Sequence, residues 1–377
     1  MMMMKKVRTA PLFHLIILLM LLLAGISLLQ PDQEHSALEN RPLAQLPRFE
    51  LGQVMSGRYM DQAESYVNDQ LPFRDAFVQL NLLKEMALMK TESHGVVRGR
   101  GQRLFNQSKQ VDVKDIEHKV EALGRFAKAV DMPVTLLMIP PSITVYQEEL
   151  PAFYPLKDPV PLIEAMAGSR EGLKVVPLQE ALALEKQQQM THYRTDHHVT
   201  AAGAKAVYQA LAASLGFAPQ PAAAQVRVLD GFLGSLYARA PYPFMQADAL
   251  SYFEVDGVSL EIEGETMPGL VDPALLDRPN MYAALLYNNP GYLVLRNPTA
   301  SRGPALVLRD SNANAVLPLL AQDYRELHVI DFRYLKLGFH LTDLVFDHGI
   351  KEVLCIYGTD VFLSDRNLLL HLASSRN

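Results

Sequence analysis

Apolar positions along this chain fall into three regimes. The first is one continuous run, "PLFHLIILLMLLLAGISLL", almost wholly apolar from Leu12 to Leu29 with His14 near its start. A helix satisfies the backbone of such a run internally, and its length is about what a bilayer needs. Lys5, Lys6 and Arg8 precede it and the polar "QPDQEHSALENR" follows, which puts the tail in the cytoplasm and the body outside. A cleaved signal peptide is the alternative. "LLAGIS" offers no clean Ala-x-Ala, the run is long for a signal, and Ile26 stands where a lipoprotein would need cysteine, so an uncleaved anchor is favoured.

The second regime has helical spacing. After a proline-rich polar linker from about Pro31 to Phe49, "GRYMDQAESYVNDQLPFRDAFVQLNLLKEMAL" predicts two helices joined at "DQLPFRD", around Pro72. Arg74 in that joint can pair with Asp69 or Asp75. "GVVRGRGQRLF" predicts a turn and hairpin; Gly99-x-Gly101 lacks the third glycine of a phosphate loop.

From Val111 onward amphipathic helices alternate with short apolar runs. "VKDIEHKVEALGRFAKAV" and "PLIEAMAGSR" predict helices, and "MPVTLLMIP" and "LKVVPL" predict strands. After a break come "PALVLRDS" (strand and turn), "NAVLPLLAQD" (helix), "ELHVIDF" and "EVLCIYGTD" (strands). Continuous apolar strands separated by helices predict an α/β domain whose parallel sheet is covered by helices on both faces. Residues 219–298, with "SLEIEG" and "GYLVLRN", read as a β-rich insertion. The expected organisation is a tail and transmembrane signal-anchor over 1–30, a linker with helical and hairpin segments over 31–110, and the α/β domain over 111–377.

Composition sharpens this picture. Hydrophobic residues make up 49% of 377, enough for a substantial core. Lys and Arg number 35 against 41 Asp and Glu, scattered rather than clustered, which gives no nucleic-acid footprint. Cys355 is the single cysteine, so no intrachain disulfide forms, and its apolar setting in "EVLCIY" suits a buried strand residue.

Two polar sequences stand out against this frame. In "ALVLRDSNANAVLPLL" a strand ends near Arg309, and Ser311 is expected at a helix N-terminus, where free N–H groups favour a negative oxygen. Asp310 and Ser311 are equally ordinary helix caps. "TDHHVTAAGAKA" places Asp196 two residues before His198 at a loop-to-helix junction. A carboxylate there can orient the imidazole, which can deprotonate a serine brought near by the fold. Thr195 or Asp196 could instead serve only as a cap. Metal binding by His192, Asp196, His197 and His198 is disfavoured, because adjacent side chains diverge and no HExxH or cysteine pair supports it.

"RTDHHVTAAGAKAVYQAL" resembles the DHHW motif of bacterial DHHW-family envelope proteins and the Asp-x-His-Trp-Thr motif of alginate O-acetyltransferase subunits of the AlgJ/AlgX type. "ENRPLAQLP", "SGRYMDQAESYVNDQLPFRDAFVQL", "GVVRGRGQRLF", "IPPSITVYQEELP" and "ALVLRDSNANAVLPLLAQDYRELHVIDFRYL" agree in order, over most of the chain after the apolar run. The resemblance implies an SGNH-hydrolase-like domain with Ser311 as nucleophile, His198 as general base and Asp196 as its orienter. It implies no cofactor and no metal. It further implies an O-acetyltransferase acting on an envelope or secreted polysaccharide, with a membrane-bound O-acyltransferase partner. An esterase with the same triad and an inactive glycan-binding scaffold are the alternatives. Tyr193, Arg194, Arg309, Asn312 and Tyr357 are candidates for substrate contact. The chain departs from the pattern at Val199, where tryptophan is usual, at Arg309, where glycine is usual and where bulk would crowd the site, and at Ser142, where lysine is frequent.

Overall fold

The computed structural model describes residues 11–219 and 224–374. Lys5, Lys6 and Arg8 therefore lie outside the described residues. The apolar run is a helix over Pro11–Leu29, 19 residues, or about 28 Å at 1.5 Å per residue. Among the described residues no helix is long and apolar enough to cross a membrane.

The chain divides into two compact units, one made of residues up to Lys90 with Pro241–Phe244 and the other of Thr91–Ala240 and the rest. In the first, helices Arg58–Asp69 and Arg74–Ala87 flank Pro72 as the spacing predicts, preceded by a short helix, Leu51–Met55. Arg74 pairs with Asp69, Asp75 and also Glu39, while Arg41 holds Asp69 and Glu39. The hydrogen bond from Arg41 outweighs partial burial and draws the Asp69 carboxyl down to about 2.

The hairpin Val96–Arg98/Leu104–Asn106 belongs to the second unit, where the Leu104 N–H donates to the Arg194 carbonyl at 2.8 Å. The second unit begins at Thr91. Among the described residues the large sheet of this unit has eight strands: β1 (Val134–Ile139), β2 (Leu173–Val175), β3 (Ser259–Ile262), β4 (Glu265–Thr266), β5 (Tyr292–Arg296), β6 (Ala305–Arg309), β7 (Glu326–Ile330) and β8 (Glu352–Gly358). Their order is β4-β3-β5-β7-β6-β8-β1-β2. The block β7-β6-β8-β1-β2 is parallel, and β5, β3 and β4 extend it antiparallel.

The sheet is mixed rather than parallel throughout, and the expected insertion is part of it. "SLEIEG" and "GYLVLRN" are not a separate insertion; they supply β3 and β5 of the main sheet. The β-rich pattern of these segments carries no information about their neighbours. What stands apart is a two-stranded ribbon, Ala224–Phe232 paired with Asp248–Val255.

The inner strands β1, β6 and β8 of the parallel block are buried on both faces, as their unbroken apolar runs require. Val307, Val329, Leu354 and Ile356 face one core, which also holds the helix Ala201–Leu215 through Ala204, Val207 and Leu211. Leu306, Leu308, Ile330 and Cys355 face the other, with Ile116, Val120, Leu123 and Phe126 of the helix Val113–Ala129. That helix starts where predicted because the Asp112 carboxylate caps the N–H groups of Lys114 and Asp115. Cys355 is buried and its thiol is pushed up by burial, which removes it from nucleophilic chemistry. β6 lies between β7 and β8, so its carboxyl end opens at the middle of the sheet, where polar ligands meet open α/β folds.

Candidate active site

Asp310 and Ser311 follow directly on β6. The expected α-helix is not there: Ser311–Ala313 is a single 3-10 turn and the α-helix is only Leu317–Leu320. "NANAVLP" explains this, because the Asn312 side chain bonds locally to Asp310, the Asn314 side chain turns away to Asn289, and Pro318 removes an amide donor. A strong helix dipole behind the serine is therefore absent. Local hydrogen bonds fix the turn instead. The buried Asp310 carboxylate accepts from Gly358 N–H (3.0 Å), Asn312 N–H (3.2 Å) and Asn312 Nδ2 (2.8 Å). Burial raises the Asp310 carboxyl, which these donors oppose. Gly358 is required here, since a Cβ would lie 2.1 Å from Asn312 Nδ2.

The other half of the site is a hairpin-like loop closed by pairing of His192 with Val199 and by Thr200 N–H to the Thr191 carbonyl at 2.9 Å. Thr200, not Thr195 or Asp196, caps the following helix, its Oγ1 accepting from Gly203 N–H. This frees Asp196 to face inward. Its Oδ1 accepts from His198 N–H (2.9 Å) and Nδ1 (2.5 Å), and its Oδ2 from Ser235 N–H (2.6 Å). Burial alone would raise this carboxyl; the neighbouring His198 and His197, with these hydrogen bonds, overcome it and hold the group below the ordinary carboxylate range. Asp196 is therefore an anion and a pure acceptor, which fixes the Nδ1–H tautomer of His198. The free Nε2 lies 3.0 Å from Ser311 Oγ. Two segments 113 residues apart thus form one continuous line: carboxylate, imidazole, hydroxyl.

Several residues that build this line carry no sequence signal. A Cβ at Gly234 would lie 2.2 Å from Asp196 Cβ, so only glycine lets the Ser235 amide reach the carboxylate. Buried Asp248 accepts from Thr195 N–H (2.8 Å) and Oγ1 (2.7 Å), while Arg103 Nη1 donates to the His192 and Tyr193 carbonyls. Tyr282 stacks on His198, centroids 3.7 Å apart at 9°, and its hydroxyl donates to the Ser311 carbonyl at 3.1 Å. Burial pushes this phenol well above its ordinary value, so it remains a donor. One tyrosine therefore braces both base and nucleophile. Tyr282→Phe is expected to keep the fold and the ring stack but to lower turnover roughly tenfold, the rate equivalent of one hydrogen bond near 1.4 kcal/mol; a steady-state assay beside a melting curve checks this.

The candidate contact residues behave otherwise. Tyr193 is fully buried and its hydroxyl donates to the Ser251 carbonyl, and Tyr357 is fully buried with its hydroxyl on Asp365, so neither is available to a sugar. Asn312 is spent on Asp310, and half-exposed Arg194 pairs with Asp248. Arg309 does not crowd the serine. Its side chain is buried and Nη1 donates to Asn289 (2.6 Å), Asn314 (3.0 Å) and Asp331 (3.3 Å). Asn289 closes four consecutive left-handed residues, Leu286–Tyr287–Asn288–Asn289, a costly backbone that these bonds hold just after Tyr282. Val199 is part of the core beside Gly203, and Ser142 starts a buried turn after β1.

His197 and His198 do not diverge as expected; their rings lie 3.8 Å apart because the loop turns sharply between them. Asp196, His197 and His198 thus bring donor atoms within 4.8 Å of one another. Both ring nitrogens of His198 are already engaged, by Asp196 and Ser311, and His197 Nδ1 meets Ser235 Oγ at 2.7 Å, so proton transfer fits this donor set better than metal ligation.

The fold that carries this site is similar to known ones. Residues 96–229 match the family model of the SGNH hydrolase-like domain of acetyltransferase AlgX. The matched segment contains Asp196 and His198, while Ser311 joins them through the fold. Among solved structures, a DHHW family protein from Eubacterium siraeum is similar with a TM-score of 0.63 at 18% identity, covering 74% of this chain and 95% of that one. Bacillus cereus PatB1, solved with a sulfonyl adduct, is similar with a TM-score of 0.58 at 18% identity, covering 73% and 97%. At these identities the likeness establishes the α/β fold alone; the SGNH-like description comes from the family model. No curated protein matches the chain.

His192, behind the loop, gives a test of its packing. It is buried with Nε2 at 3.1 Å from the Pro140 carbonyl, and burial, followed by the Arg103 charge, draws it down to about 3. Its folded value lies below the unfolded one, so its contribution is full above about pH 6.5 and is lost as pH falls toward 3. Denaturant melts are expected to show stability declining over that window by a few kcal/mol, with a shallower decline in His192→Gln.

Proposed function

We propose that the protein is a membrane-anchored, extracytoplasmic O-acyltransferase that acetylates a cell-envelope or secreted polysaccharide through an acyl-serine intermediate. The observation that carries this reading is the line Asp196–His198–Ser311, with Nε2 at hydrogen-bond distance from Oγ. The match to an acetyltransferase family model supports the transfer chemistry, and the anchor rests on the sequence pattern alone, an apolar run preceded by Lys5, Lys6 and Arg8.

In this mechanism Ser311 Oγ attacks the acyl carbonyl carbon as His198 Nε2 takes its proton. The carbonyl oxygen becomes an oxyanion, and Asp196 stabilises the imidazolium without itself taking the proton. The tetrahedral centre collapses, the donor's leaving group takes the proton from His198, and the acyl-serine remains. A sugar hydroxyl then attacks it, giving its proton to His198, and collapse returns that proton to Ser311 with the acyl group on the sugar. A membrane-bound O-acyltransferase partner would supply the acyl group from across the membrane. No nucleotide or metal enters these steps.

The test is a chromogenic acetyl ester as donor, with and without deacetylated envelope polysaccharide. Ester-linked acetate on the glycan is the expected result. Acetate release indifferent to the acceptor, with an unmodified glycan, would make the protein an esterase; no turnover at all would favour a glycan-binding scaffold.

A further inference from the structure

A second cluster of chemically capable side chains lies at the opposite, amino-terminal end of the parallel strands. Glu326 and His328, two apart on β7, project from the same face. His348 caps the helix Leu341–Asp347 at its carboxyl end and reaches them, its ring 4.3 Å from that of His328. One donor atom from each residue lies within 4.8 Å of the other two. We propose that Glu326, His328 and His348 form a zinc(II) site that clips this helix to the sheet.

The donor set is two imidazoles and a carboxylate, which suits a borderline ion such as zinc and leaves a position for water. His328 Nε2 lies 3.2 Å from Glu326 Oε2. Two ligands of one tetrahedral zinc at about 2.1 Å stand roughly 3.4 Å apart, so this pair is already nearly in place. His348 is exposed, and a side-chain rotation can close the remaining distance. His328 is fully buried, with the His348 ring packed against it.

An outer partner is also present. Tyr292 Oη lies 2.8 Å from His328 Nδ1. Zinc on Nε2 requires the Nδ1–H tautomer, with Tyr292 Oη as acceptor; the Nε2 proton of the metal-free form returns to Nδ1 through solvent. Such partners orient metal-bound histidines. The surrounding charge permits a cation: Arg296 pairs with Glu326 through Oε1 and with Glu261 at 3.2 Å, leaving Oε2 and an excess of one carboxylate. For a disulfide-free chain, the clip would hold a short helix that contributes Leu341, Leu344 and Val345 to the core.

The experiment is zinc titration of the full chain by calorimetry, with melting curves in the same buffers and cobalt(II) absorption as a reporter of coordination. We expect one zinc to bind and raise the melting temperature, with cobalt bands of a nitrogen–oxygen site. His348→Ala, at an exposed position that leaves the core intact, is expected to weaken binding at least tenfold and abolish the shift; Tyr292→Phe is expected to weaken it roughly tenfold. Ser311→Ala should bind zinc like the unaltered chain. Absence of zinc uptake, or unchanged uptake in both His348→Ala and Glu326→Gln, overturns the site. None of these readouts depends on the catalytic reading.

Discussion

Replacing Ser311 by alanine is expected to lower acyl transfer by about 10⁴-fold or more while leaving the melting temperature almost unchanged. The serine hydroxyl is the only atom of the proposed relay that forms a bond to the acyl group, so no neighbouring residue replaces it. Its removal costs little structurally. Asp310, Asn312 and Gly358 fix the turn through their own hydrogen bonds, and the Tyr282 hydroxyl binds the Ser311 main chain rather than its side chain. Steady-state rates with an activated acetyl ester, set beside thermal denaturation, measure both quantities. A variant retaining a tenth of the activity would locate the nucleophile elsewhere.

Asp196→Asn is expected to lower the rate by a comparable factor, near 10⁴ at neutral pH, for a different reason. The carboxylate is held as an anion and accepts from His198 Nδ1 and the Ser235 amide. An asparagine amide can donate to Nδ1 instead, which moves the imidazole proton to Nε2, where it faces Ser311 and cannot accept. The base is then lost with little movement of atoms. Substrate affinity should change far less than turnover, because no part of Asp196 is exposed enough to meet a ligand. Gly234→Ala should reproduce the loss by steric means, since the added carbon displaces the same carboxylate, but with a measurable drop in stability.

The contrast between these two sites explains what sequence reading reaches and what it misses. The strands from Val134 to Gly358 that form the parallel block follow from unbroken apolar runs, because burial on both faces leaves no polar alternation. Asp196, His198 and Ser311 stand out as chemically capable groups at loop positions beside those strands. Gly234, Asp248 and Tyr282 do not. Each acts through a contact with a residue far away in the chain, and nothing in "GFLGS", "QADAL" or "NMYAA" reports the partner. Arg309 misleads for the same reason. In sequence it replaces a small residue beside a nucleophile; in space its side chain leaves the serine and ties Asn289 and Asn314 together.

The helix expected at Ser311 fails on local chemistry that the sequence does contain. Asn312, Asn314 and Pro318 all favour turns over a continuing helix. In the proposed reaction, support for the oxyanion would then come from individual donors rather than from a helix end.

The most direct test of the relay is to expose the protein to an activated acetyl ester, quench in acid and map the modified peptide by mass spectrometry. A single acetyl group on the peptide that carries Ser311, formed rapidly in the unaltered chain and slowed by several orders of magnitude in His198→Ala, is the predicted result. Acetylation at another residue, or acetylation of Ser311 that proceeds equally well without His198, would contradict it.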